Sequence, residues 1–247
     1  MGGVSATMGG MAHHRREPDL LDRLESEQRE ASGTRVEFHA QLAECDGMLI
    51  DVTRRVAEQI VPVTRAFLAA DAHAARRCLA DGGDIDQRCR RLEEACYVLI
   101  ARQSPVGADL RRLVAILRSV ADTQRSWALV GHVVGALTWV HPPALTQALR
   151  EIIAQLGDVA AEMFASSATA WAEHDALAAS DLEQRDDQAD LLQKSLLTEL
   201  YTGPSSVEEA VSLALLARYY ERVADHGVEI ARHVAYMVTG HRPGLDS

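Results

Sequence analysis

The chain has 247 residues, of which 47% are apolar, 25% are charged and only 4% are aromatic, and its formal net charge is −11. This is the composition of an ordinary globular protein, long enough to bury one large core or two smaller ones. The acidic balance lacks the basic footprint that nucleic-acid binding requires, so nucleic acid is excluded as a general partner.

From the sequence we expect no targeting or membrane segment. No apolar run reaches the roughly 18 residues of a membrane span, and the N-terminus lacks the charged head and apolar run of a signal peptide. We therefore expect a cytoplasmic protein. Its cysteines contain no CxxC pair, so in a reducing cytosol we expect free thiols and neither disulfides nor a zinc site; they are Cys45, Cys78, Cys89 and Cys96.

Residues 1–33 are predicted to be a disordered extension. They contain two Gly-Gly pairs and then a run of charged residues from Arg15 to Glu30. Such a composition leaves little apolar surface to bury against a core.

Residues 34–140 predict a first unit of three helices. The first helix carries a seam of apolar residues at steps of three and four, which is typical of a helix in a bundle: Phe38, Leu42, Cys45, Leu49, Val52, Val56, Ile60, Val63 and Phe67. Asp71 is the expected N-cap of a second helix that runs to about Gln103, weakened at Gly82-Gly83. A third helix is predicted from near Asp109 to about Trp139.

Residues 144–239 predict a second unit on the same plan. Pro142-Pro143 is the strongest helix breaker in the chain and marks the middle. After it we expect helices over about 144–174, over 175–201 with Asp175 as its N-cap, and from the turn at 202–206 to about Val238. Residues 240–247 form a short polar tail.

The two units correspond to one another. Asp86 and Asp190 lie at equivalent points of the second helices, and Gln124-Arg125 corresponds to Glu221-Arg222 in the third. The sequence therefore predicts an all-α protein of two tandem three-helix bundles related by internal duplication, with six long helices.

One acidic pair in the last helix points to chemistry. Glu221 and Asp225 are four residues apart, so both carboxylates lie on one face of the helix. Two like charges at this spacing disfavour the helix unless positive charge lies nearby. Arg218 and Arg222 can supply that charge, a bound cation with hard oxygen ligands can supply it, or the carboxylates can spread apart and stay hydrated. The spacing alone leaves these alternatives open.

Three segments together resemble the PhoU family, a regulator associated with bacterial phosphate-specific transport: the opening segment Phe38–Leu42, the loop and helix start Ala101–Arg111, and Tyr220–His226. The resemblance covers about residues 34–239. It implies two similar three-helix bundles, a homodimer, and a negative regulator of the phosphate-starvation response and of phosphate uptake. It further implies that the protein links the ATPase of the Pst transporter to a PhoR-type sensor histidine kinase, and meets the membrane only through these partners.

The resemblance also implies metal binding through paired E/D-x-x-x-D motifs, one pair of motifs in each repeat. The second repeat has all four carboxylates, namely Asp186, Asp190, Glu221 and Asp225. The first repeat keeps one of four, with Gly82, Asp86, Gln124 and Ala128 at the matching positions. We therefore expect one metal site, in the second repeat only, that takes iron, manganese, magnesium or calcium in preference to zinc.

Two other function classes compete with a metal-dependent regulator. Di-iron carboxylate enzymes need Glu-x-x-His pairs, and no acidic residue here has His three positions later. The chain also lacks a P-loop, a Rossmann glycine pattern and a nucleophile–base arrangement, so we expect no enzymatic activity. The alternative is a metal-independent helical adaptor or scaffold for a related signalling process, with its acidic pairs on solvated faces and with Trp127, Trp139 and Trp171 in the core or at interfaces.

Overall fold

A computed structural model describes residues 20–139, 145–203 and 206–241, and side chains from residue 35 onward within these ranges except at 138 and 139. Over these ranges the chain is helical, with no strand. This confirms the predicted all-α class. The helices are α1 (Leu20–Leu68), α2 (Ala72–Asp81), α3 (Ile85–Gln103), α4 (Gly107–Trp139), α5 (Gln147–Glu173), α6 (Ala178–Thr202) and α7 (Val207–Thr239).

The second helix of the first repeat was wrongly predicted to be continuous, since α2 and α3 occupy its place. Two glycines, each costing a helix roughly 1 kcal/mol relative to Ala, end α2 at Asp81. Gly82 also leaves room for Trp127, because a β-carbon built at Gly82 would lie 2.4 Å from that indole ring. The corresponding helix of the second repeat, α6, has no such pair and runs without a break.

The start of α1 also differs from the prediction. The helix begins at Leu20, so the expectation of disorder was wrong for residues 20–33. This stretch is rich in Leu, Glu and Arg, which are strong helix formers even where little apolar surface is available. Residues 1–19 lie outside the described ranges, as do Pro142-Pro143.

Of the two helix caps predicted from the sequence, one is present in the structure. Asp71 caps α2 as predicted, since its carboxylate accepts from the Ala74 backbone N–H at 2.8 Å. Asp175 does not cap α6. Because His174, the C-cap that follows α5, is in the left-handed conformation, Asp175 falls in the chain reversal and accepts from the Leu177 backbone N–H at 2.9 Å. The helix begins only afterwards, at Ala178.

The described chain divides into two units, residues 1–39 and residues 40–247. In the second unit α7 is the central element and packs against α4, α5 and α6. All nine residues of the apolar seam on α1 are buried, as predicted. The cysteines are free thiols, three of them buried and Cys78 half-buried, also as predicted. Trp127 and Trp171 are buried, while the Trp139 side chain lies outside the described part.

Buried polar pairs connect α1 to helices of the second repeat. The hydroxyls of Thr64 on α1 and Tyr220 on α7 lie 2.7 Å apart, and burial raises the pKa of the Tyr220 phenol. The Trp171 indole of α5 donates to the buried Asp46 carboxylate of α1 at 2.9 Å. Because an unpaired buried polar group is costly, these pairs favour one alignment of the helices over others.

The crossing of α1 and α5 yields a stability prediction. A β-carbon at Gly157 would lie 2.4 Å from Oγ1 of the buried Thr64. We expect Gly157→Ala to lower the free energy of unfolding by about 1–3 kcal/mol through overpacking. The matched control is Gly47→Ala on α1, where a β-carbon meets nothing within 4 Å and should be neutral or stabilising. Urea unfolding of both variants checks this, and equal stabilities would contradict the tight crossing.

Candidate metal centre

The four predicted ligands lie on two helices that pack against each other. Asp186 and Asp190 are one turn apart on α6, and Glu221 and Asp225 are one turn apart on α7. Their environments range from buried to half-exposed, since the Glu221 side chain is 8% exposed, that of Asp225 28% and that of Asp190 46%. Of these side chains, Glu221 is thus the most deeply buried, and Asp190 is the most accessible to solvent.

The carboxylates influence one another electrostatically. Burial raises the pKa of Asp186 to about 6, and the charges of Asp225 and Asp190 act in the same direction. Burial, followed by the charge of Asp225, raises the pKa of Glu221. Both shifts arise because a partly dehydrated negative charge is disfavoured beside other negative charges.

Basic side chains offset part of this charge. Arg218 donates to Glu221, and Arg222 donates to Asp225 at 2.9 Å. The Lys194 ammonium lies 3.9 Å from Asp190. In this arrangement no three His, Cys, Asp or Glu side chains of the described residues are gathered into a group that could hold a metal.

Two oxygen atoms of the acidic set are nevertheless left without a donor. Oδ1 of Asp186 and Oε2 of Glu221 are both buried, and neither accepts a hydrogen bond. An orphaned buried acceptor costs roughly 1–3 kcal/mol, and more when it is charged. Carboxylate oxygens of this kind are the ligands that hard cations take. The donor chemistry of these residues therefore fits a hard cation.

The first repeat does not offer the same chemistry. At its matching position Gly82 contributes no side chain, and the Trp127 ring fills the space beside it. Gln124, which is half-buried, carries a neutral amide, and Ala128, which is exposed, carries only a methyl group. Neither side chain therefore supplies an anionic oxygen. A hard cation has no equivalent ligand set there.

A second polar cluster, which the sequence analysis did not identify, lies where α4 meets α7. Nδ1 of His226 is 3.2 Å from one carboxylate oxygen of Asp122, and Nε2 of His233 is 3.2 Å from the other. Although burial alone would raise it, the two histidines hold the pKa of Asp122 well below its ordinary value. The seven-residue spacing of the histidines, two helical turns, was the signal that places them on one face.

Two members of the acidic set, Asp186 and Asp225, line one cleft of about 910 Å³ together with this second cluster. Its walls come from α4 of the first repeat and from α6 and α7 of the second. Arg232 crosses part of the cleft and pairs with Glu183 of α6 at 2.7 Å. The cleft therefore lies at the junction of the two repeats.

The raised pKa of Asp186 predicts how the metal-free protein responds to pH. An acid whose pKa rises from 3.8 to about 6 on folding destabilises the fold once it is ionised, so stability falls as pH increases through this window. Asp186→Asn removes the charge. We expect roughly 1 kcal/mol of stabilisation at pH 7.5 after solvent screening, about 2–4 °C in melting temperature, and none below about pH 4.

Thermal melts of metal-free protein at both pH values measure this difference. The comparison is Asp187→Asn, a neighbouring exposed carboxylate whose charge contributes less to the raised pKa of Asp186 than those of Asp225 and Asp190, so this variant should be stabilised less. A melting temperature of Asp186→Asn that is unchanged or lower at pH 7.5 would show that the Asp186 charge carries no penalty.

Known proteins that are similar to this chain match both of its repeats. A family model described as PhoU domain matches the chain twice, over residues 49–126 and 153–234. The phosphate-specific transport system accessory protein PhoU homolog 2 of Mycobacterium tuberculosis is 35% identical over 212 residues, covering 85% of this chain and 100% of that protein. PhoU homolog 1 of Mycobacterium leprae is 33% identical over 216 residues, covering 86% of this chain and 97% of that protein.

Solved structures agree with these sequence matches. The crystal structure of PhoU from Pseudomonas aeruginosa superposes with a TM-score of 0.74 at 26% identity, covering 83% of this chain and all of that chain. The phosphate transport system regulatory protein PhoU from Streptococcus pneumoniae has the same fold, with a TM-score of 0.76 at 23% identity over 84% of this chain and all of that one. None of the helices described here is long and apolar enough to cross a membrane.

Proposed function

Because the chain belongs to the PhoU domain family, we propose that it is a PhoU-type accessory protein of phosphate-specific transport that restrains phosphate uptake and the phosphate-starvation response. The observation that carries this proposal is the match of both repeats. It is joined by the alignment, over a relative's full length, with a protein named as an accessory protein of the phosphate-specific transport system. A protein of this kind acts by binding other proteins, and we propose no enzymatic activity for it.

The proposed partners are the ATPase of a Pst-type transporter and a PhoR-type sensor histidine kinase. As a cytoplasmic homodimer, the protein would reach the membrane only through them. Outward-facing apolar side chains at the end of α3 and just before α4 support a role in protein contacts, since Tyr97 is 60% exposed and Val106 79% exposed.

We further propose that Asp186, Asp190, Glu221 and Asp225 hold one hard cation, which is iron, manganese, magnesium or calcium. The cation would supply positive charge among carboxylates that Arg218, Arg222 and Lys194 otherwise offset from the sides. The buried oxygens without a donor on Asp186 and Glu221 support this assignment. Ligation from both helices would tie α6 to α7.

The second candidate is a metal-independent adaptor. It is favoured by the pairing of three acids with Arg218, Arg222 and Lys194, which offsets their charge without a metal. The two candidates differ in metal content and agree on the fold, so elemental analysis separates them.

The regulatory role predicts a phenotype. Deletion of the gene should raise alkaline phosphatase activity or expression of the Pst transporter in phosphate-rich medium, because the restraint on the starvation response is lost. Reporter measurements, with the intact gene returned as control, test this. Unchanged expression in a strain with no second PhoU-like gene would refute the proposal, and a pull-down from phosphate-rich cells would then identify the true partners.

The proposed metal site predicts that the purified protein contains metal and that this content depends on Glu221 and Asp225. Protein purified without a histidine tag should contain metal by elemental analysis. Glu221→Gln/Asp225→Ala, which copies Gln124 and Ala128 of the first repeat, should lose it because two anionic ligands are gone. Asp86→Asn, at the one remaining acid of the first repeat, is the matched control and should retain the wild-type content. Equal metal in wild type and the double variant would favour the adaptor.

A further inference from the structure

The first half of α7 carries a row of exposed apolar side chains. Val207 is 82% exposed, Val211 54% and Leu215 48%. They are four residues apart, so they form one ridge on the outer face of the helix. Single exposed apolar residues are normal on a protein surface, but a contiguous row on one helix indicates a surface that another helix covers.

This ridge borders an open groove. Between α7 and the end of α4 lies a cavity of about 820 Å³ with a mostly apolar lining. On the α4 side, β-carbons built at Gly131 and Gly135 meet nothing within 4 Å. The space beside these two positions is therefore open to the backbone of another helix. Tyr219 lies at the side of the groove and meets the His132 ring edge-on at 5.2 Å.

The outer face of α7 can pair with the same face of a second copy when the two helices run antiparallel and the two-fold axis passes at the level of Leu213. In an antiparallel pair of identical helices with this centre, residue 213 + n of one copy lies opposite residue 213 − n of the other. Val211 then lies opposite Leu215, and Glu208 lies opposite Arg218. These four positions follow steps of 3, 4 and 3, which is the spacing of a helix–helix seam, and all four are exposed.

We propose that this surface is the two-fold interface between two copies of the chain. The first halves of two α7 helices pair antiparallel, with Val211 and Leu215 at the centre. Two Glu208–Arg218 ion pairs lie at the ends, and they use N–H groups of the Arg218 guanidinium other than the Nη1 that donates to Glu221 of its own chain. Such an isologous contact closes after two subunits. This inference rests on the homodimer of the proposed function and assigns the surface that forms it.

Two features of α7 favour a second copy of the chain as the partner on this surface. The helix is already formed up to its first residue, since Ser206 and Glu209 make a capping box there, so pairing requires little ordering of the chain. The charges also specify direction. Parallel copies in register would place Glu208 against Glu208 and Arg218 against Arg218, whereas the antiparallel pair places opposite charges together.

The mass of the full-length chain in solution is the first test. Sedimentation equilibrium should show a dimer for wild type and a monomer for Val211→Glu/Leu215→Glu, with the dimer dissociation constant raised at least about tenfold, because four buried carboxylates would meet at the centre of the interface. The control is Leu191→Glu, which alters an apolar residue of α6 that is 62% exposed and should leave the dimer intact. Far-UV circular dichroism checks that each variant is folded.

Charge reversal tests the register independently of the apolar core. Glu208→Arg and Arg218→Glu should each weaken self-association, because every end pair then joins like charges. A mixture of the two single variants should form heterodimers. One chain then carries a positive charge at both end positions and the other a negative charge at both, so each end pair joins opposite charges again. This rescue holds even if the Glu substitutions at the apolar positions impair folding.

The outcomes separate this interface from the dimer itself. If Val211→Glu/Leu215→Glu stays folded and dimeric, or the mixed variants do not pair, the interface assignment falls and the homodimer stands. A wild-type chain that is monomeric at high micromolar concentration overturns both. The groove would then serve another protein.

Discussion

The close packing of α7 against α4, α5 and α6 is the constraint on which the rest of the molecule depends. Small residues permit it, because Ala217, Ala224 and Ala231 recur every seven residues and are fully buried. At Gly227 a β-carbon would lie 3.2 Å from the Met163 backbone oxygen of α5. A helix surrounded in this way has little contact with water on three sides. Any charged side chain that it carries inward must therefore find a counter-charge, a hydrogen-bond donor or a cation.

The molecule meets that requirement in two ways along the same helix. Near its C-terminal end, His226 and His233 of α7 both contact the buried Asp122 of α4, so the carboxylate is fully engaged. Closer to the start of the helix, Glu221 receives Arg218 on one oxygen and nothing on the other. The first cluster is satisfied by protein groups alone, whereas the second leaves ligand capacity unused. This difference makes the acidic set, and not the histidine cluster, the candidate for a cation.

The duplicated units have diverged at the corresponding place. In the first repeat the Trp127 indole packs over Gly82, and the helix breaks there into α2 and α3. The apolar Trp127 ring fills the space beside Gly82, where the second repeat has the carboxylate of Asp186. Without that negative charge, the first repeat needs no counter-charge at this position. The two repeats thus share a backbone plan, while only the second has carboxylates at all four matching positions of its second and third helices. The proposed cation site is therefore confined to one half of a two-repeat fold.

By itself the sequence determined the helical class, the two-repeat order, the buried seam of α1 and the acidic pairs, because these depend on spacing within single helices. It misplaced the start of α1, the cap at Asp175 and the continuity of the helix at Gly82. These features depend on how the chain reverses direction or on which side chain packs above the backbone. Only the tertiary structure decided that Asp122 meets His226 and His233, residues more than 100 positions away. Only it decided that Arg218 engages one oxygen of Glu221 and leaves the other without a donor. Contacts between helices follow from the register and rotation of one helix against another, and the periodicity of a single helix does not contain that information.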